Sequence, residues 1–134
     1  MSLSKLALSG LVAAGALSMA SAAVAAHRDS DPGPHPCFFV TQWQGWSAPS
    51  DDVILMKVNN RDIYRVELSA GSAMLRSPGV HLVSKVRGSD SICSAIDLDL
   101  EVSDGHGFVE PLITRSLTRL TPEEAAAIPR KYQP

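Results

Sequence analysis

The chain has 134 residues, of which 45% are hydrophobic, 19% charged and 5% aromatic, and its formal net charge is −2. This length allows one compact domain and excludes a multidomain enzyme. The slightly acidic balance argues against a nucleic-acid binder, which needs a basic surface to displace phosphate counterions. No run of Lys and Arg exceeds two residues, which argues against a polybasic membrane-binding patch.

The first 26 residues predict an export signal rather than part of the fold. Lys5 supplies the positive start, residues 6–17 form a short apolar core, and small residues follow as far as Ala26. Cleavage fits either before Ala26 or before His27. A retained membrane anchor is the alternative, but the run is rich in alanine and serine and carries the cleavage pattern. We therefore predict export to the periplasm, with no membrane span after the signal is removed.

The chain contains two cysteines, Cys37 and Cys93. In an oxidising compartment their simplest state is a disulfide, which contributes about 4 kcal/mol in the chain-entropy model. A free redox thiol and a metal ligand are the alternatives, although the spacing is not the Cys-x-x-Cys of thioredoxin-like motifs. The sequence therefore predicts a Cys37–Cys93 disulfide.

The mature chain divides into three parts by composition. Residues 27–36 contain three prolines among alternating charges, which is typical of a flexible lead-in. A single β-rich domain is expected over residues 37–128, and a short tail over residues 129–134.

The clearest local pattern is a β-hairpin. Residues 53–58 form a short, nearly continuous apolar run, which is typical of a buried strand. Asn59 and Asn60 follow, and both tolerate the positive φ of a tight turn. Residues 62–68 then alternate between two faces, and the face assigned to the core carries Tyr64, Val66 and Leu68.

Other segments carry further β patterns. Residues 37–43 are rich in aromatic and β-branched side chains, and Gly45, Pro49 and residues 50–52 are expected to end that strand. Acidic and aliphatic residues alternate over residues 97–102. This predicts a strand with Asp97, Asp99 and Glu101 facing solvent and Leu98, Leu100 and Val102 facing inward. More strands are predicted over residues 80–86, 108–109 and 112–120, and one helical turn over residues 72–76.

The end of the chain carries a helix signal. Thr121 is a capping residue, Pro122 suits the first helical position, and Glu124 completes a capping box. Pro129 ends the helix. Several short strands and one terminal helix predict a mainly β protein, a small antiparallel β-barrel or sandwich with a short C-terminal helix.

His27 is the one candidate metal ligand. If cleavage falls before His27, its free amine and imidazole would chelate Cu²⁺ together. The cleavage site is ambiguous and no spacing assigns a second ligand, so the four histidines are more simply surface groups. We assign no metal or cofactor, and keep a small periplasmic copper or ligand carrier as the alternative function.

Other candidate sites have simpler structural explanations. The carboxylates of residues 97–101 resemble a calcium or acid–base cluster, but a strand would spread them along solvent without wrapping oxygens around Ca²⁺. The sequence contains no Gly-x-Ser-x-Gly and no phosphate-loop motif, so no catalytic residue is assigned. Three aromatic side chains could stack on a ligand but more simply fill the core: Trp43, Trp46 and Tyr64.

Several short motifs follow one another in a characteristic order: Cys37-Phe38, Gly45-Trp46, Asp51-Asp52, Asp62, Tyr64, Glu67-Leu68, Ile92-Cys93, Asp97 and Leu117 to Thr121. In this order and spacing the chain resembles a family of small exported proteobacterial proteins of unknown function, periplasmic or lipid-anchored. That family usually has four cysteines, and the missing two would fall near Ala73 and residues 109–111. Loss of one intact pair leaves no orphan thiol, so the resemblance favours a Cys37–Cys93 pairing. It implies no activity, cofactor or catalytic residue.

These observations together predict an exported, β-rich, non-enzymatic domain that binds an unknown protein or envelope component. Nucleic acid is not an expected partner. An enzyme with a dispersed site is a further alternative, although the sequence shows no activated nucleophile or carboxylate pair.

Overall fold

The computed structural model describes residues 37–134, so the predicted signal segment and the proline-rich lead-in lie outside the described residues. Strands account for 44% of the described residues, and all of their pairings are antiparallel. The strands are β1 (Phe38–Phe39), β2 (Trp43–Ser50), β3 (Val53–Val58), β4 (Asp62–Leu68), β5 (His81–Ser84), β6 (Ser91–Ile92), β7 (Leu100–Ser103), β8 (Val109–Leu112) and β9 (Thr114–Arg119). One α-helix, α1 (Pro122–Ala126), follows them, and short 3₁₀ turns lie at Val40–Gln42, Ala73–Arg76, Ala95–Asp97 and Arg130–Tyr132.

The strands form a four-stranded sheet in the order β2-β3-β4-β9, a three-stranded sheet in the order β5-β7-β8, and the pair β1-β6. Over the described residues these sheets do not close into a barrel, so the sandwich is the predicted architecture that fits. The buried side chains of both larger sheets belong to one hydrophobic cluster, which also takes in residues from the connecting segments. Its largest fully buried members are Ile54, Met56, Leu68, Leu100, Val58, Val66 and Val102. Burial of this apolar surface is the main favourable term in folding.

The predicted hairpin is present as β3 and β4. Asn59 and Asn60 adopt φ of 52° and 64°, the left-handed conformation that the tight turn requires. The register pairs Val58 with Asp62 and Val53 with Glu67, and Tyr64, Val66 and Leu68 of β4 face the core as predicted. Tyr64 is among them, with its ring centroid 4.8 Å from that of Phe38.

The prediction that Gly45 and Pro49 end a strand is wrong. After the short strand β1, the chain makes a 3₁₀ turn, and β2 then runs from Trp43 through both residues to Ser50. Pro49 is tolerated because β2 is an edge strand, where a missing N–H breaks no sheet hydrogen bond. The register with β3 also shifts between Ser47 and Ser50, on either side of the proline.

The prediction of a strand beginning at Asp97 is also wrong. Ala95–Asp97 form a 3₁₀ turn, and β7 begins only at Leu100. The turn forms because one oxygen of the Asp97 carboxylate accepts hydrogen bonds from the backbone N–H groups of Cys93 and Ser94, at 3.0 and 2.8 Å. Local side-chain bonding of this kind competes with strand formation. The inward face is confirmed, because Leu98, Leu100 and Val102 are all buried.

The remaining strand predictions hold with changed bounds, and the strand predicted over residues 108–109 is β8, which begins at Val109 and extends to Leu112. The pattern over residues 80–86 contains β5, and the pattern over residues 112–120 contains β9. Ile113 separates β8 from β9, so the chain leaves the three-stranded sheet at this residue and enters the four-stranded one. The helical turn predicted over residues 72–76 is the 3₁₀ turn Ala73–Arg76, with the Ser72 hydroxyl accepting from Met74 N–H.

The C-terminal segment, residues 121–134, covers the outer face of the four-stranded sheet. The predicted capping box is confirmed, since Thr121 and Glu124 each accept a hydrogen bond from the other's backbone N–H. Further along, the Ser47 hydroxyl of β2 donates to the backbone oxygen of Tyr132. Leu55 lies beneath this segment and is 4% exposed, although it points away from the main core. Residues 129–134, which the sequence assigns to a tail, therefore lie against the sheet.

Candidate binding groove

An open groove of about 1010 Å³ lies beside β9. One wall consists of residues 112–117, where the chain crosses from β8 into β9. The other wall is drawn from residues 85–99, between the end of β5 and the start of β7. We call this feature the β9 groove.

Two isoleucines present apolar surface in the β9 groove. Ile96 is 88% exposed and Ile113 is 67% exposed, the two highest values among the large hydrophobic side chains exposed in the described residues. They come from opposite walls. Scattered exposed apolar residues are normal on a protein surface, whereas apolar residues gathered in a concave site indicate binding.

The wall containing Ile96 is held in place by a covalent bond and a carboxylate. The predicted disulfide is confirmed, since Cys37 and Cys93 are bonded and tie this wall to the start of β1. The Asp97 carboxylate then accepts from the N–H of Cys93, from the N–H of Ser94 and from the Ser94 hydroxyl. These hydrogen bonds hold the pKa of Asp97 below its usual range, and the bond from the Cys93 N–H lowers it most.

A hydrogen bond joins the two walls at one end of the groove. The Thr114 hydroxyl, at the start of β9, donates to the backbone oxygen of Ala95 at 2.6 Å. This bond therefore holds the 3₁₀ turn Ala95–Asp97, which contains Ile96, against the start of β9. The groove is preformed, which lowers the entropic cost of filling it.

Three cationic side chains line the β9 groove, each with a carboxylate partner. Lys85 pairs with Glu101, Arg87 with Asp99, and Arg115 with Glu67. In each pair the cation is the more exposed member; Arg87 is 77% exposed and its partner Asp99 30%. In these three ion pairs the positively charged groups are therefore more accessible to solvent than the carboxylates.

Glu67 anchors the β9 side of this charge pattern. Burial alone would raise its pKa, but hydrogen bonds from Ser116, Arg115 and Arg65 outweigh that effect and hold the pKa below its usual value. The carboxylate is therefore ionised near neutral pH and keeps Arg115 beside β9.

A second, smaller cavity of about 640 Å³ lies between the outer face of the four-stranded sheet and the C-terminal segment. Leu55 and Ile128 contribute apolar walls, and Arg65 and Glu67 lie on its sheet side. This cavity lies where the C-terminal segment meets the sheet.

The three aromatic candidates from the sequence lie outside the β9 groove. Tyr64 is 3% exposed within the core, and its burial raises the pKa of its hydroxyl. Trp43 and Trp46 are half-buried and pack against the same core, and Trp43 Nε1 donates to Gly45 O at 2.9 Å. All three therefore contribute to the core, the simpler of the two roles considered for them.

His27, the candidate copper ligand, lies outside the described residues. Among residues 37–134 no three His, Cys, Asp or Glu side chains come together in a metal-binding group. The carboxylates considered as a calcium cluster serve other partners, because Asp97 bonds its own loop while Asp99 and Glu101 pair with Arg87 and Lys85. Within the same residues no helix is long and apolar enough to cross a membrane.

The residues that define the β9 groove were not predicted from the sequence. Ile96 is in phase with Leu98 and Leu100, so the alternating pattern places it on the inward face of a strand. Ile113 stands inside a longer strand-like pattern. That both residues line one groove depends on long-range packing that no local pattern encodes.

No protein-family model, curated protein or solved structure matches this chain significantly. The resemblance to small exported proteobacterial proteins therefore stays a prediction. That resemblance puts a second cysteine pair near Ala73 and near residues 109–111. These two segments are neighbours in the fold, because the Ser72 hydroxyl donates to the Glu110 carboxylate at 2.8 Å.

Proposed function

We propose that this chain is an exported, non-enzymatic domain that binds a partner of the bacterial envelope through the β9 groove. The observation that carries the proposal is the placement of Ile96 and Ile113. These two highly exposed large apolar side chains line one preformed groove rather than lying scattered over the surface. Covering them with a partner would remove apolar surface from water, which is the usual driving force for association.

The chemistry of the groove favours binding over catalysis. Its carboxylates are engaged by Arg87 and by the N–H groups of its own loop, and its cysteine is in the disulfide. No histidine lines it. The described walls therefore lack the pairing of a nucleophile with a free base that acyl transfer or hydrolysis requires.

The disulfide supports the exported location, because such bonds persist in oxidising compartments. The copper-carrier hypothesis depends on His27 and stays a prediction.

Site-specific photo-crosslinking tests the groove as the binding site. A photoreactive benzoylphenylalanine replaces Ile96 or Ile113 in the full chain, in cells that export it. The matched control places the same group at Phe108, an exposed aromatic residue between β7 and β8 and outside the groove lining. We expect adducts with the same partner from both groove positions and none from Phe108. Absence of adducts from the groove, or the same adduct from Phe108, would contradict the proposal.

A further inference from the structure

β9 is an edge strand, and its residues 114–117 line the β9 groove. β9 pairs with β4 on one side, and among the described residues no strand pairs with its other side. Leu120 N–H donates to Ile63 O, and the register pairs Tyr64 with Arg119. Backbone bonds in an antiparallel pair alternate, so Ser116 and Thr118 bond to β4 while Leu117 and Arg119 point their N–H and C=O groups away from it.

The opposite edge of the same sheet is closed to a further strand. β2 contains Pro49, shifts register twice against β3, and lies under the C-terminal segment through Ser47 and Tyr132. Proline, bulges and covering segments are the usual means by which proteins block edge pairing. β9 contains no proline, and its free edge opens into a groove.

We propose that the β9 groove binds an extended, acidic segment of another protein, which pairs with β9 as a fifth strand of the four-stranded sheet. This inference rests on the function proposed above and specifies the ligand of that site. Strand addition supplies affinity through backbone hydrogen bonds, while side-chain contacts beside the edge supply specificity. Ile96 and Ile113 supply the apolar contacts for the added strand.

Charge specifies an acidic partner. The cations Lys85, Arg87 and Arg115 project further into solvent than the carboxylates that pair with them. An incoming strand therefore meets positive charge first. Carboxylates on that strand would gain from this field, and the gain would weaken as salt is added.

The same charges disfavour a second copy of this chain as the occupant. In a two-fold antiparallel pair centred on Leu117, Arg115 of one copy would lie opposite Arg119 of the other. Like charges directly opposite each other on paired strands are destabilising. The β9 edge is therefore suited to a foreign acidic strand.

A pair of designed peptides tests the inference on the mature protein. The first is a fluorescein-labelled eight-residue peptide in which valine alternates with glutamate, and the second carries lysine at every glutamate position. We expect the acidic peptide to bind at least tenfold more tightly by fluorescence anisotropy, with a Kd that rises with salt. N-methylation of all its central residues, which removes the strand-pairing N–H groups, is expected to weaken binding at least tenfold.

Amide hydrogen exchange locates the binding within the strand. Saturating acidic peptide is expected to slow exchange at Leu117 and Arg119 at least tenfold. Ser116 and Thr118 serve as internal controls, because their N–H groups already bond to β4 and their exchange should change much less.

Two exposed arginines provide matched protein variants. Arg87→Glu reverses a charge in the groove, while Arg61→Glu makes the same change at the β3–β4 turn, where Arg61 is 82% exposed. We expect a three- to tenfold loss of acidic-peptide affinity from Arg87→Glu and no change from Arg61→Glu.

The results separate this inference from the function on which it rests. Equal binding of the acidic and lysine peptides would overturn the acidic character of the ligand, and unchanged exchange at Leu117 and Arg119 would overturn strand addition. If groove crosslinks still form in cells, the partner-binding function stands without it. If the crosslinks also fail, both proposals fall.

Discussion

At the scale of single residues, two buried serine hydroxyls differ in their bonding. Ser72 is 4% exposed, and its hydroxyl donates to Glu110 and accepts from the N–H of Met74. Ser84 also has a buried hydroxyl, and among the described residues its oxygen is the one buried side-chain nitrogen or oxygen without a hydrogen-bond partner. A buried polar group costs free energy unless it is bonded.

The two serines are therefore expected to respond oppositely to the same substitution. Ser84→Ala should raise the free energy of unfolding by about 1 kcal/mol, because it removes an unbonded buried hydroxyl. Ser72→Ala should lower it by about 1–2 kcal/mol, because it leaves Glu110 without its donor and the 3₁₀ turn without its cap. Urea denaturation of both variants measures the two values. A loss of stability in Ser84→Ala as large as that in Ser72→Ala would contradict this account.

At the scale of secondary-structure elements, the C-terminal segment gives the four-stranded sheet a second buried face. The inner face contributes Ile54, Met56 and Val58 to the main core, while Leu55 on the outer face is buried beneath residues 121–134. The segment is positioned by the capping box of α1 and by the bond from Ser47 to the Tyr132 backbone. The helix is only five residues long, so its stability comes from this packing.

Leu55 is accordingly expected to behave as a core residue. Leu55→Ala should lower the free energy of unfolding by about 2–4 kcal/mol, as large-to-small substitutions do at buried sites. The matched control is Ile63→Ala, at an outward-facing and only half-buried position of β4, which should cost less than half as much. Denaturant unfolding provides the measurement. Equal small losses from both would show that the C-terminal segment does not pack on the sheet in solution.

The elements that sequence predicts best are those whose signal is local. The β3–β4 hairpin follows from its apolar run, its two asparagines and its strict alternation, and the capping box follows from Thr121 and Glu124. The ends of β2 and β7 did not follow from the sequence. Pro49 is tolerated within β2 because β2 is an edge strand. β7 begins only at Leu100 because the Asp97 carboxylate bonds to the backbone of its own loop. A propensity pattern shows neither of these effects.

The β9 groove illustrates what sequence alone could not give. Ile96 and Ile113 line the same groove because the Cys37–Cys93 disulfide and the Thr114 bond hold the two walls in place. The sequence predicts the disulfide, but it does not indicate which loop that bond supports. The aromatic candidates were identified by residue type, and all three pack in or against the core.

At the scale of the whole molecule, the disulfide connects the proposed cellular location with the proposed binding surface. The Cys37–Cys93 disulfide, which forms in oxidising compartments, also holds the wall of the β9 groove that contains Ile96. Removing a disulfide from a small secreted domain typically costs about 2–5 kcal/mol. The central claim is therefore that the protein is exported, processed and disulfide-bonded, and works by binding through a preformed groove.

The most direct test of that claim is the intact mass of the full chain recovered from the periplasm, measured under native conditions and then denatured without reductant. We predict a mass that begins at Ala26 or His27, is two hydrogens lighter than the reduced form, and carries no metal. An unprocessed start or two free thiols would contradict export and the bonded wall. Retained copper would contradict binding through the groove as the principal function and direct attention to His27.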